Sequence, residues 1–120
     1  MQTKGKYILD ADGNPQEETD LIKWATWYET ADRVLAHDDL ANEICVATLF
    51  LGVNFNFAPL GPPLLWETTV SDTKGRRLEQ RPALVRLLDE QNVSMRYATR
   101  EQAMAGHARM VSLANGWMEE

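Results

Sequence analysis

Residues Lys6 to Asp10, KYILD, carry the aromatic and β-branched side chains that favour a strand. Asp12-Gly13-Asn14-Pro15 follows as a turn, because glycine and asparagine tolerate positive φ and proline ends a hydrogen-bonded ladder. Apolar positions then recur at helical spacing, at Leu21, Trp24, Ala25 and Tyr28 with Trp27 on the flank. Asp20 stands before them as a cap, which predicts a helix ending near Ala31. Beyond it the period falls to two. Arg33 to His37 and Glu43 to Val53 read as strands joined by a turn over Asp38 to Asn42. In the second strand Ile44, Val46 and Phe50 share one face and Cys45, Ala47, Leu49 and Leu51 the other, the two-sided apolar pattern of a central strand.

Asn54 to Pro63, NFNFAPLGPP, cannot continue a ladder, since its prolines remove donors and impose turns. It is expected to be a loop, after which Leu64 to Val70 resumes β character and pairs back as a hairpin. Thr73 to Gln80 is polar and basic. Pro82 then suits a first helical position, and Leu84, Val85, Leu87 and Leu88 supply an apolar stripe, predicting a short helix to about Glu90. Val93 to Tyr97 makes a last strand. The stretch Arg96 to Val111 runs from that strand end into an amphipathic helix, with Thr99 as cap and Gln102 three residues on to close a capping box. Asn115-Gly116 stops the helix after Ala114. Ala103, His107, Met110, Val111 and Ala114 fall on one of its faces, with Met104 at the border. Gly106 inside a helix costs about 1 kcal/mol relative to alanine and so marks a close approach by backbone or an aromatic ring. The predicted fold class is α+β. One layered domain, 1–120, holds an antiparallel sheet of four to five strands, packed by the capped C-terminal helix and one or two shorter helices, with Thr73 to Gln91 as an insertion within it.

The length of 120 residues suits one domain with a core of its own, and 44% hydrophobic with 25% charged residues is an ordinary globular composition. The longest apolar stretch, Ile44 to Val53, is broken by Thr48 and Gly52 and falls short of the ~20 residues a membrane span needs. The N-terminal apolar run stops at Leu9, which is too short for a signal peptide, so a cytoplasmic, non-secreted protein is expected. Cys45 is the single cysteine, and an intrachain disulfide is impossible. The net charge of −6 is uneven. Met1 to Asp72 holds four basic and twelve acidic residues, and Thr73 to Glu120 eight basic and six acidic, so the first stretch carries −8 and the second +2. The first would repel nucleic acid, and the second could approach an anionic partner or the acidic part of another copy.

Three segments, KYILDADGNP, GPPLLWETTV and RYATREQAMAGHARMV, together resemble a family of small hypothetical proteins of tailed bacteriophages and prophages. The shared elements are the turn at Asp10 to Pro15, the Pro-Pro and strand at Pro62 to Val70, and a helix carrying Tyr97, Thr99, Ala103, Gly106 and His107. The chain departs from the family's pattern over Thr73 to Asn92, where similar sequences are shorter and glycine-rich. The family has no assigned activity, so the resemblance implies a phage setting, in the cytoplasm of a host bacterial cell, and no mechanism.

Few constellations carry chemistry. Asp10-x-Asp12-x-Asn14 opens like a calcium loop, yet Pro15 stands where glycine is needed and Leu21 where a bidentate glutamate is needed. His37, Asp38 and Asp39 put an imidazole beside two carboxylates. With His107 and Cys45 they exhaust the nucleophile, base and soft-ligand inventory, and no two have a recognised ligand spacing. His107, on an apolar helix face, reads as a hydrogen-bonded core histidine. Gly61-Pro62-Pro63 lacks the free amides of a phosphate cradle. Lys74, Arg76, Arg77, Arg81 and Arg86 form a basic stretch without interleaved aromatics in an acidic protein, which argues against nucleic acid. Phe55 and Phe57 alternate with asparagines in the proline-held loop, an arrangement that suits interface anchors.

No catalytic, cofactor or metal residue is therefore assigned. The expected partner-binding set is Phe55, Phe57, Leu84, Val85, Leu87 and Leu88. The expected function is non-enzymatic binding of a protein of host or phage, or of a second copy of the chain, with no nucleic acid or membrane partner. The alternative is a small hydrolase or metal-dependent enzyme using His37 with Asp38 or Asp39.

Overall fold

The computed structural model describes residues 4–54, 56, 61–77, 80 and 95–116. The fold is α+β. A ribbon of β1 (Tyr7–Leu9) and β2 (Pro15–Glu17) precedes helix α1 (Leu21–Thr30). A four-stranded antiparallel sheet follows, made of β3 (Val34–Asp39), β4 (Ile44–Phe50), β5 (Trp66–Asp72) and β6 (Arg96–Tyr97), and helix α2 (Arg100–Asn115) closes the domain. Strand order in the sheet follows chain order, β3-β4-β5-β6, so β4 is central as its pattern predicts.

Local chemistry accounts for both helix starts. Asp20 accepts hydrogen bonds from the amides of Ile22 and Lys23, and Thr99 forms a full capping box with Gln102. Strand limits depart from the sequence expectation at several ends, and β4 stops at Phe50 rather than Val53, before the positive-φ Gly52. Pro15 does not end the first ladder: it pairs with Leu9, because the first residue of a two-stranded ribbon needs no amide donor there. Strand β3 runs on through Asp38 and Asp39, and the turn begins only at Leu40. Strand β5 starts at Trp66 and reaches Asp72, two residues later at each end than Leu64 to Val70. Of the expected last strand, Arg96 and Tyr97 form β6, and Val93 and Ser94 lie outside the described residues, as does the expected helix over 82–90.

The sheet is buried on one face. Ile44, Val46, Thr48 and Phe50 of β4 and Trp66 and Thr68 of β5 are almost fully enclosed, whereas Cys45, Ala47 and Leu49 on the opposite face stay half-buried. Cover on one side is what a central strand in a one-layered sheet needs, and Cys45, Ala47 and Leu49 on the second, equally apolar face of β4 belong to neither core cluster. Helix α2 packs on all four strands through Ala103, His107, Met110 and Ala114, while Met104 at the border of that face is 48% exposed. Two clusters make the core. Ile44, Val46, Met110 and Ala114 form one, and Phe50, Leu65, Trp66 and Ala103 the other, flanked by Trp27 of α1, Leu9 of β1, Leu35 and Tyr97. A bulge between Val34 and Ala36 turns Leu35 to that core.

Two glycines permit close approaches. At Gly106 the approaching group is the ring of Tyr97: a Cβ built there would lie 2.1 Å from its hydroxyl oxygen. Gly52, at φ +74°, lies under the rings of Trp24 and Tyr28, and its carbonyl accepts the Trp24 indole N–H at 2.9 Å. That bond and the edge contact of Trp27 on Phe50 seat α1 on the same side of the sheet as α2.

Candidate functional site

Alternation along β3 separates the three residues His37, Asp38 and Asp39. His37 and Asp39 point to the open face and Asp38 to the helix face, and the hairpin register sets Cys45 opposite Asp39. His37 Nε2 lies 3.3 Å from Asp39 Oδ1 and 3.1 Å from Cys45 Sγ, and the donor atoms of all three residues fall within 4.8 Å of one another. His37 and Asp39 are exposed and Cys45 is half-buried. Burial pushes the Cys45 thiol above its ordinary pKa, reinforced by its hydrogen bond to Asp39 and opposed by one from Ser71, which faces it from β5. A thiol held up in this way is not an activated nucleophile. A set of nitrogen, oxygen and sulfur donors can instead hold a metal ion.

On the helix face Asp38 meets a second network. Its Oδ2 lies 2.7 Å from His107 Nε2, the other ring nitrogen lies 2.8 Å from Thr48 Oγ1, and Thr48 Oγ1 lies 2.6 Å from Thr68 Oγ1. Thr48 and Thr68 are register partners on β4 and β5. With the neutral ring, one arrangement satisfies every group: Thr68 donates to Thr48, Thr48 to Nδ1, and Nε2–H to Asp38. Hydroxyl, imidazole and carboxylate stand here in the order of an acyl-transfer triad. Both hydroxyls are 0% exposed beneath α2, so no substrate carbonyl can reach them, and the network joins helix to sheet.

The remaining candidates resolve locally. Asp10 Oδ1 accepts from the amides of Asp12 and Asn14, each at 2.9 Å, so the calcium-like segment is a self-satisfied turn. Within the basic stretch, Lys74 pairs with Glu43 at 3.0 Å, and Arg76 pairs with Asp72 at 2.6 Å and with Glu43, which spends two of its cations on intrachain contacts. At the neck of the proline loop, the Asn54 side chain accepts from the amides of Asn56 and Leu64. Phe55, Phe57, Leu84, Val85, Leu87 and Leu88, the expected partner-binding residues, lie outside the described residues. The pairing of His37 with Asp38 is corrected, because neighbours on a strand face opposite ways. The cluster with Cys45 was overlooked for want of a linear spacing. Its signal was the hairpin itself, two alternate residues of one strand and one across from them. Comparison with protein-family models, with curated proteins and with solved structures gives no match.

Proposed function

We propose that this chain is a small non-enzymatic binding protein whose working surface is the open face of the sheet and whose partner is another protein. The observation that carries the reading is the one-sidedness of the fold. Both core clusters and both described helices gather on one face, while Val34, Ala47, Leu49 and Thr69 on the other belong to neither cluster, and Val34 is 49% exposed. An apolar centre at Ala47 and Leu49, bordered by His37 and Asp39 on one side and the Glu67–Arg96 ion pair on the other, has the make-up of an interface with a polar rim.

A phage or prophage setting belongs to the same proposal and is supported by the resemblance of three segments. In that setting the partner is a host factor or a virion protein met in the host cytoplasm, and a second copy of the chain is the alternative. The enzyme reading is weakened because the only triad-like hydroxyl among the described residues is sealed and the exposed histidine lies on an open sheet face. The test is affinity purification from infected cells with the native chain beside a Leu49→Glu, Thr69→Glu variant of equal melting temperature. A protein recovered with the first and lost with the second supports the open face, and equal recovery overturns it.

A further inference from the structure

We infer that His37, Asp39 and Cys45 form a surface site for a divalent transition-metal ion of the zinc class. Among the described residues this is the one group of three or more histidine, cysteine and carboxylate side chains whose donor atoms lie within ligand distance of one another. In a tetrahedral site with metal bonds of roughly 2.0 to 2.3 Å, neighbouring donors stand about 3.3 to 3.6 Å apart. The observed separations of 3.3 Å from imidazole to carboxylate and 3.1 Å from imidazole to sulfur lie within about half an ångström of that shell, and all three donors fall within 4.8 Å of one another. Side-chain rotation that brings the Asp39 carboxylate and the Cys45 sulfur together about His37 would close it.

The scaffold is suited to the task. All three ligands stand on two paired strands, so ladder hydrogen bonds fix their backbone positions. Ser71 lies beside Cys45 on the third strand and hydrogen-bonds the sulfur, acting as a positioning residue. Asp38 is turned away and engaged by His107, leaving Asp39 as the carboxylate on this face. Donor chemistry narrows the ion: magnesium and calcium take oxygen shells, whereas an imidazole with a thiolate suits zinc and its neighbours. On binding, the Cys45 thiol proton passes to solvent and the sulfur coordinates as thiolate. Three protein ligands leave the fourth, solvent-side position to water. The assignment holds whether or not a protein partner covers the same face.

The test uses the full chain titrated with cobalt(II) and then zinc. The expected result is one ion per chain with a thiolate-to-cobalt charge-transfer band, which must arise from Cys45 because the chain has no other cysteine. Zinc should displace the cobalt and protect Cys45 from a thiol reagent. Cys45→Ser should abolish the band. His37→Ala and Asp39→Asn should each weaken zinc binding by at least the roughly tenfold that loss of an outer partner already costs. Their circular dichroism should be unchanged, since these side chains belong to neither core cluster. Absence of the band, or zinc affinity unaltered in His37→Ala, overturns the assignment.

Discussion

Asp38 Oδ2 sits 2.7 Å from His107 Nε2, which ties the edge strand to the middle of the C-terminal helix across 69 positions of sequence. The imidazole is 7% exposed and uses both nitrogens. His107→Gln, which keeps an amide for hydrogen bonding, should leave the domain folded with a loss of no more than about 2 kcal/mol. His107→Asp should unfold it. An unpaired carboxylate there meets desolvation of several kcal/mol, with repulsion from Asp38 added, against a total stability of about 5 to 15 kcal/mol. Urea denaturation of the two variants decides, and a cooperatively folded His107→Asp protein would contradict the buried network.

Thr48 and Thr68 offer a cleaner dissection, because valine keeps their shape. Thr48→Val strands both the Thr68 hydroxyl and the ring nitrogen and should cost about 1 to 3 kcal/mol. Thr68→Val removes only the outer end of the chain and should cost less. In the double variant the two losses should not add, since one shared hydroxyl is counted in both. Chemical denaturation of the four proteins reads the coupling, and strict additivity would show that the hydroxyls act separately.

Gly106→Ala should destabilise the protein although alanine is the better helix former. The added methyl would lie 2.1 Å from the Tyr97 hydroxyl oxygen and 2.3 Å from the ring carbon that bears it, and the ring is packed on the Phe50 cluster. Overpacking of this kind costs about 1 to 3 kcal/mol, more than the helix propensity gained. In a Tyr97→Leu background the sign should reverse. Melting temperatures of the single and double variants check both halves.

Much of the fold was legible because its signals are local. Asp20 announces α1 and the Thr99–Gln102 pair announces α2 from within a few residues, and the glycine at 106 marks a close approach by backbone or ring, of which the structure shows the ring. What escaped depends on partners distant in the chain. Asp38 and Asp39 have poor strand propensity and read as a turn, yet β4 supplies their ladder and His107 takes one of their carboxylates. Cys45, Ala47 and Leu49 are apolar enough for a second buried face, but which face receives the helices is settled by packing alone. Losing Asp39 from the strand also hid its register with Cys45, and with it the donor cluster.

Acid should loosen the fold through its turns and caps. Asp10 is held below the usual carboxylate range chiefly by the Asn14 amide, Asp20 by the Lys23 amide and Glu43 by the Lys74 side chain. A carboxyl whose pKa is lower in the folded state contributes stability that is complete above its unfolded value of about 4 and vanishes as pH falls through the folded one. Melting temperature should thus hold near neutrality and decline below about pH 5. Asp20→Asn keeps a capping oxygen that does not titrate, so its decline should be shallower. Superimposable pH profiles for the two proteins would remove Asp20 from the account.

Strand β3 ends in His37, Asp38 and Asp39, and β6 at the other margin is two residues long. A sheet with one bare face would ordinarily invite neighbouring molecules to add strands at its edges and grow into fibres. Among the described residues one margin carries polar and charged side chains, which blunt an edge, and the other is too short to template a ladder. Growth of the sheet is discouraged in its own plane, so the association proposed for the broad surface would stop at a finite complex.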